Sequence, residues 1–217
     1  MRTFGFPEFL FILEAAKWTI ALSMIAFAGG AVGGLLVALG RTSENALARR
    51  AAAVFVQIFQ GTPLLLQLFL VFFGGPVLGV DLNPWIAAGI ALILNTSAFL
   101  GEIWRGCIQA IPHGQTEAAH ALGLHYFARM RDVILPQAFK IALPPTVGYM
   151  VQVVKGTSLA AIIGFAEVTR AGQIINNATF QPLIVFSLVA AIYFALCWPL
   201  SLLAARMERR QAAALAR

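Results

Sequence analysis

The stretch EAAHALGLHYFARMRDVILPQAFKIALPPT, residues 117–146, decides how this chain is organised. It lies between two long apolar segments but carries three cationic residues, two acidic residues and two of the three histidines, which is typical of a water-facing membrane boundary. The adjacent Ala118 and Ala119 give a helix a small, smooth surface that can enter a groove on a partner protein. Gly123 can end that helix by adopting a positive φ. The stretch predicts a short docking helix that starts at Glu117 and ends at Gly123.

The composition is that of an integral membrane protein. Hydrophobic residues make up 60% of the chain and charged residues 11%, with a mean hydropathy of +0.83, which excludes an ordinary soluble domain. A helix needs about 20 apolar residues to cross the hydrocarbon of a bilayer. We therefore predict an all-α, polytopic protein in which residues 1–217 form a single transmembrane domain. Its five spans are predicted at about residues 15–39, 51–75, 84–111, 137–165 and 181–205.

The cationic residues predict the orientation of the chain. Most of the fifteen lysines and arginines fall in three segments, at Arg41, Arg49, Arg50, Arg129, Arg131, Lys140, Arg206, Arg209, Arg210 and Arg217. The opposite side keeps only Arg2, Lys17 and Arg170. Because cationic loops stay on the cytoplasmic side, we expect the N-terminus outside and the C-terminus in the cytoplasm. The net charge of +6 then reflects topology, and we expect no nucleic-acid partner.

Two spans carry similar interruptions. The second span contains Gly61-Thr62-Pro63, where we predict that the helix breaks and that Thr62 caps the helix restarting at Pro63. The fourth span contains Lys155-Gly156-Thr157-Ser158-Leu159, where a second break would likewise expose a helix N-terminus suited to an anionic group. Such paired interruptions indicate a transport site. The candidates to line the path are Thr62, Lys155, Thr157, Ser158 and Glu167; the alternative is that both interruptions are packing kinks.

Other features are interpreted as structural. In the first span, Gly29 with Gly33 and Gly30 with Gly34 predict a close packing face for another helix. In the third span, which starts at Asn83-Pro84, the spacing of Glu102 and Arg105 predicts an ion pair on one helix face. Substrate contact by Glu102 is the alternative, since a carboxylate inside a membrane is often functional.

We expect no metal site, because His113, His120 and His125 do not have the spacing of metal ligands. We also expect no catalytic residues. The chain lacks a G-x-x-x-x-G-K-[ST] loop for nucleotide phosphates, and it lacks a plausible set of nucleophile, base and orienting group.

The docking stretch resembles the EAA loop of the permease subunits of ABC importers, which reads E-A-A, three residues, G, nine residues, I, any residue, L-P. In register are Glu117, Ala118, Ala119, Gly123, Leu135 and Pro136, with Val133 standing where the family has isoleucine. The segments QGTPLLLQLFLVFFGGP from Gln60 and NTSAFLGEIWRGCIQAIPHGQTEAAHALGL from Asn95 are similar to polar amino-acid permeases of the histidine, glutamine and arginine group. Gln60 replaces the usual arginine of that group, and Gly156 replaces the usual aspartate of K-D-T-S-L.

This resemblance implies a type I ABC importer permease fold in a bacterial inner membrane, with a cytoplasmic coupling loop at about residues 112–136. The implied partners are a cytoplasmic ABC ATPase dimer that holds ATP and Mg²⁺, a second permease subunit, an external or periplasmic substrate-binding protein and membrane lipid. The implied solute is a polar amino acid. The missing acid at Gly156 favours a neutral or acidic amino acid over a cationic one, although Glu167 could reverse that preference.

Three alternatives compete with this interpretation. An ion-gradient-driven secondary transporter of amino acids or related solutes is disfavoured because Glu102 is the only clear intramembrane acid for ion coupling. A membrane-bound enzyme lacks a plausible catalytic set. A purely structural assembly subunit remains possible on sequence grounds, and so do both a homodimer and a heterodimer of permeases.

Overall fold

The computed structural model describes the backbone of residues 3–215 and the side chains of residues 3–213. Every regular element in this part of the chain is helical, which confirms the all-α prediction. The α-helices are α1 (Phe6–Thr42), α2 (Ala46–Gly61), α3 (Leu64–Val77), α4 (Pro84–Gln109), α5 (His113–Ala121), α6 (Tyr126–Arg129), α7 (Leu135–Gly156), α8 (Val168–Thr179) and α9 (Pro182–Leu215). Arg2 and Arg217, two of the cations in the orientation argument, lie outside the described residues.

The described residues contain four unbroken helical segments that are long and apolar enough to cross a membrane: Phe6–Thr42, Pro84–Gln109, Tyr126–Ile163 and Pro182–Ala213. The fifth predicted crossing falls on α2 and α3. These two helices pass the same test as a pair, with a bend of 102° between them. The prediction of five crossings therefore holds when the bent pair is counted as one broken span.

The break in the second span lies where Gly61-Thr62-Pro63 predicted it. Helix α2 ends at Gly61 and α3 begins at Leu64. The prediction that Thr62 caps the restarting helix was wrong. Pro63 occupies the N-cap position of α3, and no side chain makes a capping hydrogen bond there. The Thr62 hydroxyl instead donates to the carbonyl of Ile58, 2.8 Å away in the preceding helix. A threonine four residues beyond a helical carbonyl readily makes this backward bond, which takes the hydroxyl away from a capping role.

Two buried amide side chains satisfy the backbone at this break. The Gln67 amide nitrogen donates to the carbonyls of Phe59 (2.8 Å) and Thr62 (3.0 Å). Asn95 of α4 donates to the side-chain oxygen of Gln67 at 3.1 Å. Because a buried carbonyl without a partner is costly, these bonds allow the helix to break inside an apolar protein.

The glycines of the first span pack against α4. All four make this contact: Gly29 lies against Ile93, Gly30 against Thr96, Gly33 against Ser97 and Gly34 against Leu100. A Cβ atom on Gly33 would lie 2.2 Å from the Ser97 hydroxyl oxygen, and one on Gly30 would lie 2.3 Å from Cγ2 of Thr96. Only glycine permits this approach, so the predicted packing face is confirmed and α4 is its partner.

The fourth span is one long helical segment that starts before its predicted position. Helix α6 begins at Tyr126, and a π-helical turn (Met130–Ile134) joins it to α7. In this turn the amide of Leu135 donates to the carbonyl of Met130. Pro136 has no amide hydrogen to donate, and the widened turn directly before it lets the helix continue.

The predicted break at Lys155–Leu159 was wrong. Helix α7 runs through Lys155 to Gly156 and continues as a 3-10 helical turn (Thr157–Ile163), so no helix N-terminus is exposed there. The hydroxyls of Thr157 and Ser158 donate back to the carbonyls of Val154 and Lys155, each at 2.7 Å. Gly156 itself has ordinary right-handed helical angles, so this glycine does not act as a breaker.

Candidate functional site

The docking helix starts earlier than its predicted first residue. Pro112 occupies the N-cap position and α5 begins at His113, which places Glu117 in the middle of the helix. The prediction that Glu117 opens the helix was therefore wrong. Pro112 has non-helical backbone angles (φ −54°, ψ 137°), so it separates α5 from the end of α4. The helix therefore begins at the next residue, His113.

The docking helix α5 ends at the turn that was predicted from Gly123. Gly123 has a φ of +74°. Its amide donates to the carbonyl of His120 at 2.9 Å, and the amide of Leu124 donates to the carbonyl of Ala119 at 3.0 Å. This pair of bonds is the Schellman motif, which satisfies the last carbonyls of a helix and requires a left-handed residue at the glycine position.

The two alanines of the docking stretch face different ways. Ala119 is 2% exposed and packs inward, whereas Glu117, Ala118 and Leu122 are exposed, Leu122 to 80%. One side of α5 therefore rests on the protein while the other side is open to a partner. Phe127, just beyond the turn, is also 68% exposed and adds apolar surface.

The far end of the docking stretch rests on a small apolar core. Leu135 and Val133 pack against a buried cluster that consists of Ile111, Met130, Ile134 and Ala138. Pro136 is exposed beside it. The cluster joins the end of α4 to the start of α7. By packing on it, Leu135 anchors the far end of the docking stretch to these two helices.

Arg129 connects the docking helix to the rest of the molecule, a role that sequence reasoning missed. Its side chain is 8% exposed, and Nη2 lies 3.2 Å from Oε1 of Glu44, in the loop between α1 and α2. Nη1 contacts Nε2 of His120 in the last turn of α5. The guanidinium carbon lies 5.3 Å from the centre of the Tyr126 ring. The spacing of Tyr126 and Arg129 by three residues on a helix is the one local signal that could have indicated this contact.

A carboxylate bound by two arginines lies near the same end of α1 and α4. The predicted pair is confirmed, since Nε of Arg105 lies 2.9 and 3.0 Å from the two oxygens of Glu102. Arg41 of α1 adds a second partner, with Nε at 2.8 Å from Glu102 Oε1. The carboxylate oxygens are engaged in linking two membrane-crossing helices, which favours the structural interpretation over substrate contact.

The candidate path residues lie in two groups. Thr62 and Lys155 are exposed and Ser158 is partly exposed, whereas Thr157 and Glu167 are fully buried. The two interrupted stretches meet in space, because a Cβ atom on Gly156 would lie 3.2 Å from Cδ2 of Leu64 at the start of α3. The two stretches that are similar in sequence are therefore also in contact. Only the stretch at Gly61–Pro63 is a helix break.

Glu167 has a structural position at the start of α8. Its Oε1 accepts the amide of Arg170 at 3.0 Å, which makes it the N-cap of that helix. Its Oε2 accepts hydrogen bonds from the hydroxyls of Tyr193 in α9 and Thr19 in α1. Burial raises the pKa of the Glu167 carboxyl, while the hydrogen bond from Tyr193 acts in the opposite direction. The side chain thus joins three helices.

The sequence pattern of the family described as the binding-protein-dependent transport system inner membrane component matches residues 11–213. The chain belongs to this family. It is therefore a multi-pass protein of the inner membrane, in agreement with its four or five apolar crossings.

Among relatives of this inner membrane component is the glutamine transport system permease protein GlnP of Escherichia coli (strain K12). It is 38% identical over 206 residues, which cover 94% of each chain. The probable amino-acid ABC transporter permease protein YckA of Bacillus subtilis (strain 168) is 36% identical over 88% of this chain and 84% of the relative. The L-cystine transport system permease protein TcyB of the same bacterium is 38% identical over 89% of this chain and 83% of its own.

Solved structures agree with this assignment. A chain of an amino acid ABC transporter crystallised with histidines superimposes with a TM-score of 0.87 and 33% identity, covering 96% of this chain and 100% of that one. A chain of the inward-facing MetNI methionine ABC transporter superimposes with a TM-score of 0.79 at 20% identity, covering 95% and 99%. The second likeness shows the shared fold alone. The type I importer permease fold expected for this inner membrane component is confirmed.

Proposed function

We propose that the chain is the permease subunit of an ATP-binding-cassette importer that moves a polar amino acid into the cytoplasm. The observation that carries the proposal is the geometry of α5, which leaves Glu117, Ala118 and Leu122 exposed while Ala119 anchors the helix. A short helix held in this way is suited to docking a second protein. Relatives named for glutamine, cystine and amino-acid transport support the solute class.

The proposed orientation has the N-terminus outside and the C-terminus in the cytoplasm. Arg129 binds Glu44, and the Tyr126 hydroxyl donates to the carbonyl of Thr42 at 3.3 Å, so the loop after α1 lies beside the docking segment. Both regions carry arginines, and cationic loops are retained on the cytoplasmic side. This common side supports a cytoplasmic position for α5.

The proposed partners follow from the orientation. A dimer of ATPase subunits holds ATP and Mg²⁺ and receives α5 on the cytoplasmic side, so hydrolysis takes place outside this chain. A second permease subunit, identical or homologous, completes the membrane path, and a substrate-binding protein delivers the amino acid from outside. ATP binding can shift the permease between conformations only through contacts that differ between them, and the exposed face of α5 supplies such contacts.

The test is uptake of radiolabelled amino acids by vesicles that contain the chain with its ATPase and binding protein. We expect uptake to require ATP on the α5 side and to persist when ionophores collapse ion gradients. Glu117→Lys should abolish uptake without preventing membrane insertion, because it reverses the charge of the exposed docking face. Gly114→Ala is the matched control in the same helix, since a Cβ there meets no atom within 4 Å. Uptake without the ATPase would support an ion-driven transporter and contradict the proposal.

We further propose that the solute passes the place where the break after Gly61 meets the continuous stretch Lys155–Leu159. Thr62, Lys155 and Ser158 have exposed or partly exposed side chains there, while the buried Thr157 and Glu167 support the surrounding helices. The Lys155 ammonium group is suited to the α-carboxylate of an amino acid. Position 156 carries no acid, and glutamine and cystine, for which two relatives are named, have uncharged side chains. These observations support a neutral amino acid as the solute.

A further inference from the structure

We propose that Arg129 is a positioning residue that connects movement of the docking helix to the first membrane span. It does not belong to the E-A-A, glycine and L-P register of the docking stretch. Its side chain is nonetheless buried and contacts two other segments, the last turn of α5 and the loop after α1, as well as Tyr126 of its own helix α6. This inference rests on the proposed function, in which α5 receives the motion of an ATPase.

The contacts of Arg129 explain why these segments must move together. Glu44 supplies the negative charge for the guanidinium group, and Nε2 of His120 supplies an acceptor on α5. A buried cation is costly unless it is paired, so a displacement of α5 that left Glu44 behind would break one of these contacts. The loop that carries Glu44 therefore follows α5.

A second contact runs parallel to the first. The hydroxyl of Tyr126, whose ring lies against the Arg129 guanidinium group, donates to the carbonyl of Thr42 at the end of α1. One residue before that end, Arg41 binds Glu102 of α4. Polar contacts thus run from α5 through Arg129 to the end of α1 and on to α4.

This route bypasses the covalent connections of α5. Those connections are short turns, one through Pro112 and one through the left-handed Gly123. Because the glycine face of α1 packs tightly on α4, a displacement that enters at Thr42 and Glu44 reaches both helices. The structure assigns to Arg129 the contact through which that displacement enters.

The experiment uses the complete transporter in vesicles and measures amino acid uptake per ATP hydrolysed. For Arg129→Met and Glu44→Gln we expect this ratio to fall by about fivefold or more, the lower end of ordinary coupling between sites, with the ATPase still bound. The double variant should be no worse than the more severe single variant, because Glu44→Gln weakens and Arg129→Met removes the same ion pair. Arg129→Lys should restore part of the ratio through the charge. Arg50→Ala, which removes an exposed cation from α2, is the control and should leave the ratio unchanged.

The outcomes separate this inference from the proposed function. If the unmodified transporter shows no uptake that depends on the ATPase, the proposed function fails. If it is coupled and the ratio is unchanged in both Arg129→Met and Glu44→Gln, the inference alone fails, even where thermal stability falls. Should Arg129→Met not assemble, Glu44→Gln decides, because the Glu44 side chain is 73% exposed and its near-isosteric replacement leaves the fold intact.

Discussion

Nε of Arg41 lies 2.8 Å from Oε1 of Glu102, and this contact joins the first membrane-crossing helix to the third. The same carboxylate binds Arg105 one turn further along α4. One negative charge therefore binds two arginines whose side chains are each about three-quarters buried, at 24% and 26% exposure. Its removal should affect stability more than the loss of a surface ion pair.

We expect Glu102→Gln to lower the free energy of unfolding by about 2 kcal/mol, as for other hydrogen bonds to charged groups. Denaturant unfolding in detergent micelles, followed by circular dichroism, measures this change. Glu14→Gln is the control, because it breaks the exposed pair with Lys17 and should cost less than about 1 kcal/mol. Equal losses in the two variants would contradict a special role for Glu102.

Gly33→Ala should destabilise the packing of α1 on α4 by about 1–3 kcal/mol, because the added Cβ would overlap the Ser97 side chain. The compensating double variant Gly33→Ala with Ser97→Gly should recover much of the loss. Thermal unfolding of the purified chain measures both. Gly106→Ala in α4 meets no atom within 4 Å and should be neutral or stabilising. A Gly33→Ala variant as stable as Gly106→Ala would show that helix propensity, rather than close packing, governs these positions.

Gln67→Leu should destabilise the break between α2 and α3. The substitution leaves the carbonyls of Phe59 and Thr62 without the Gln67 amide, which costs about 1–3 kcal/mol for a buried group. Gln57→Leu makes the same change on an exposed position of α2 and is the matched control. Chemical denaturation compares the two variants, and an equally stable Gln67→Leu would mean that water or another group satisfies the break.

Gly123→Val should impair uptake, because a β-branched residue is strained at a φ of +74° and the left-handed conformation costs roughly 1–2 kcal/mol even for an ordinary residue. The end of α5 would unwind, and the docking face would lose its position. Gly123→Asn should retain most activity, since asparagine tolerates this conformation. Transport assays at equal membrane levels test the pair, and full uptake in Gly123→Val would exclude a need for the turn.

Lys155→Ala and Ser158→Ala should raise the solute concentration needed for half-maximal uptake by about tenfold, equivalent to roughly 1.4 kcal/mol of lost binding. Thr157→Val is the neighbouring control, because Thr157 is fully buried and should influence stability more than affinity. Concentration-dependent uptake with the complete transporter provides the measurement. Unchanged affinity in both alanine variants would remove these side chains from the path.

Local physical chemistry determined much of the fold from sequence. Apolar length indicated the crossings, the missing amide of Pro63 indicated the break after Gly61, and the freedom of glycine indicated the turn at Gly123. Local reasoning failed at Gly156, because glycine also adopts helical angles and the flanking hydroxyls bond backward. The neighbouring residue that distinguishes the two stretches is Pro63, because no proline follows Gly156 and the helix can continue there.

By itself, the sequence predicted five apolar segments long enough to cross a membrane, the helix break after Gly61 and the stretch that forms the docking helix, but it did not predict helix α8. Only the tertiary structure decided which side chains meet: Arg41 with Glu102, Arg129 with Glu44, and Thr19 with Glu167 are separated by 61, 85 and 148 residues. Spacing rules reach partners about three or four residues away on one helix. Longer pairings depend on how the helices pack, and packing therefore decided that Arg129 joins the docking helix to the loop after the first span and that Glu167 joins three helices.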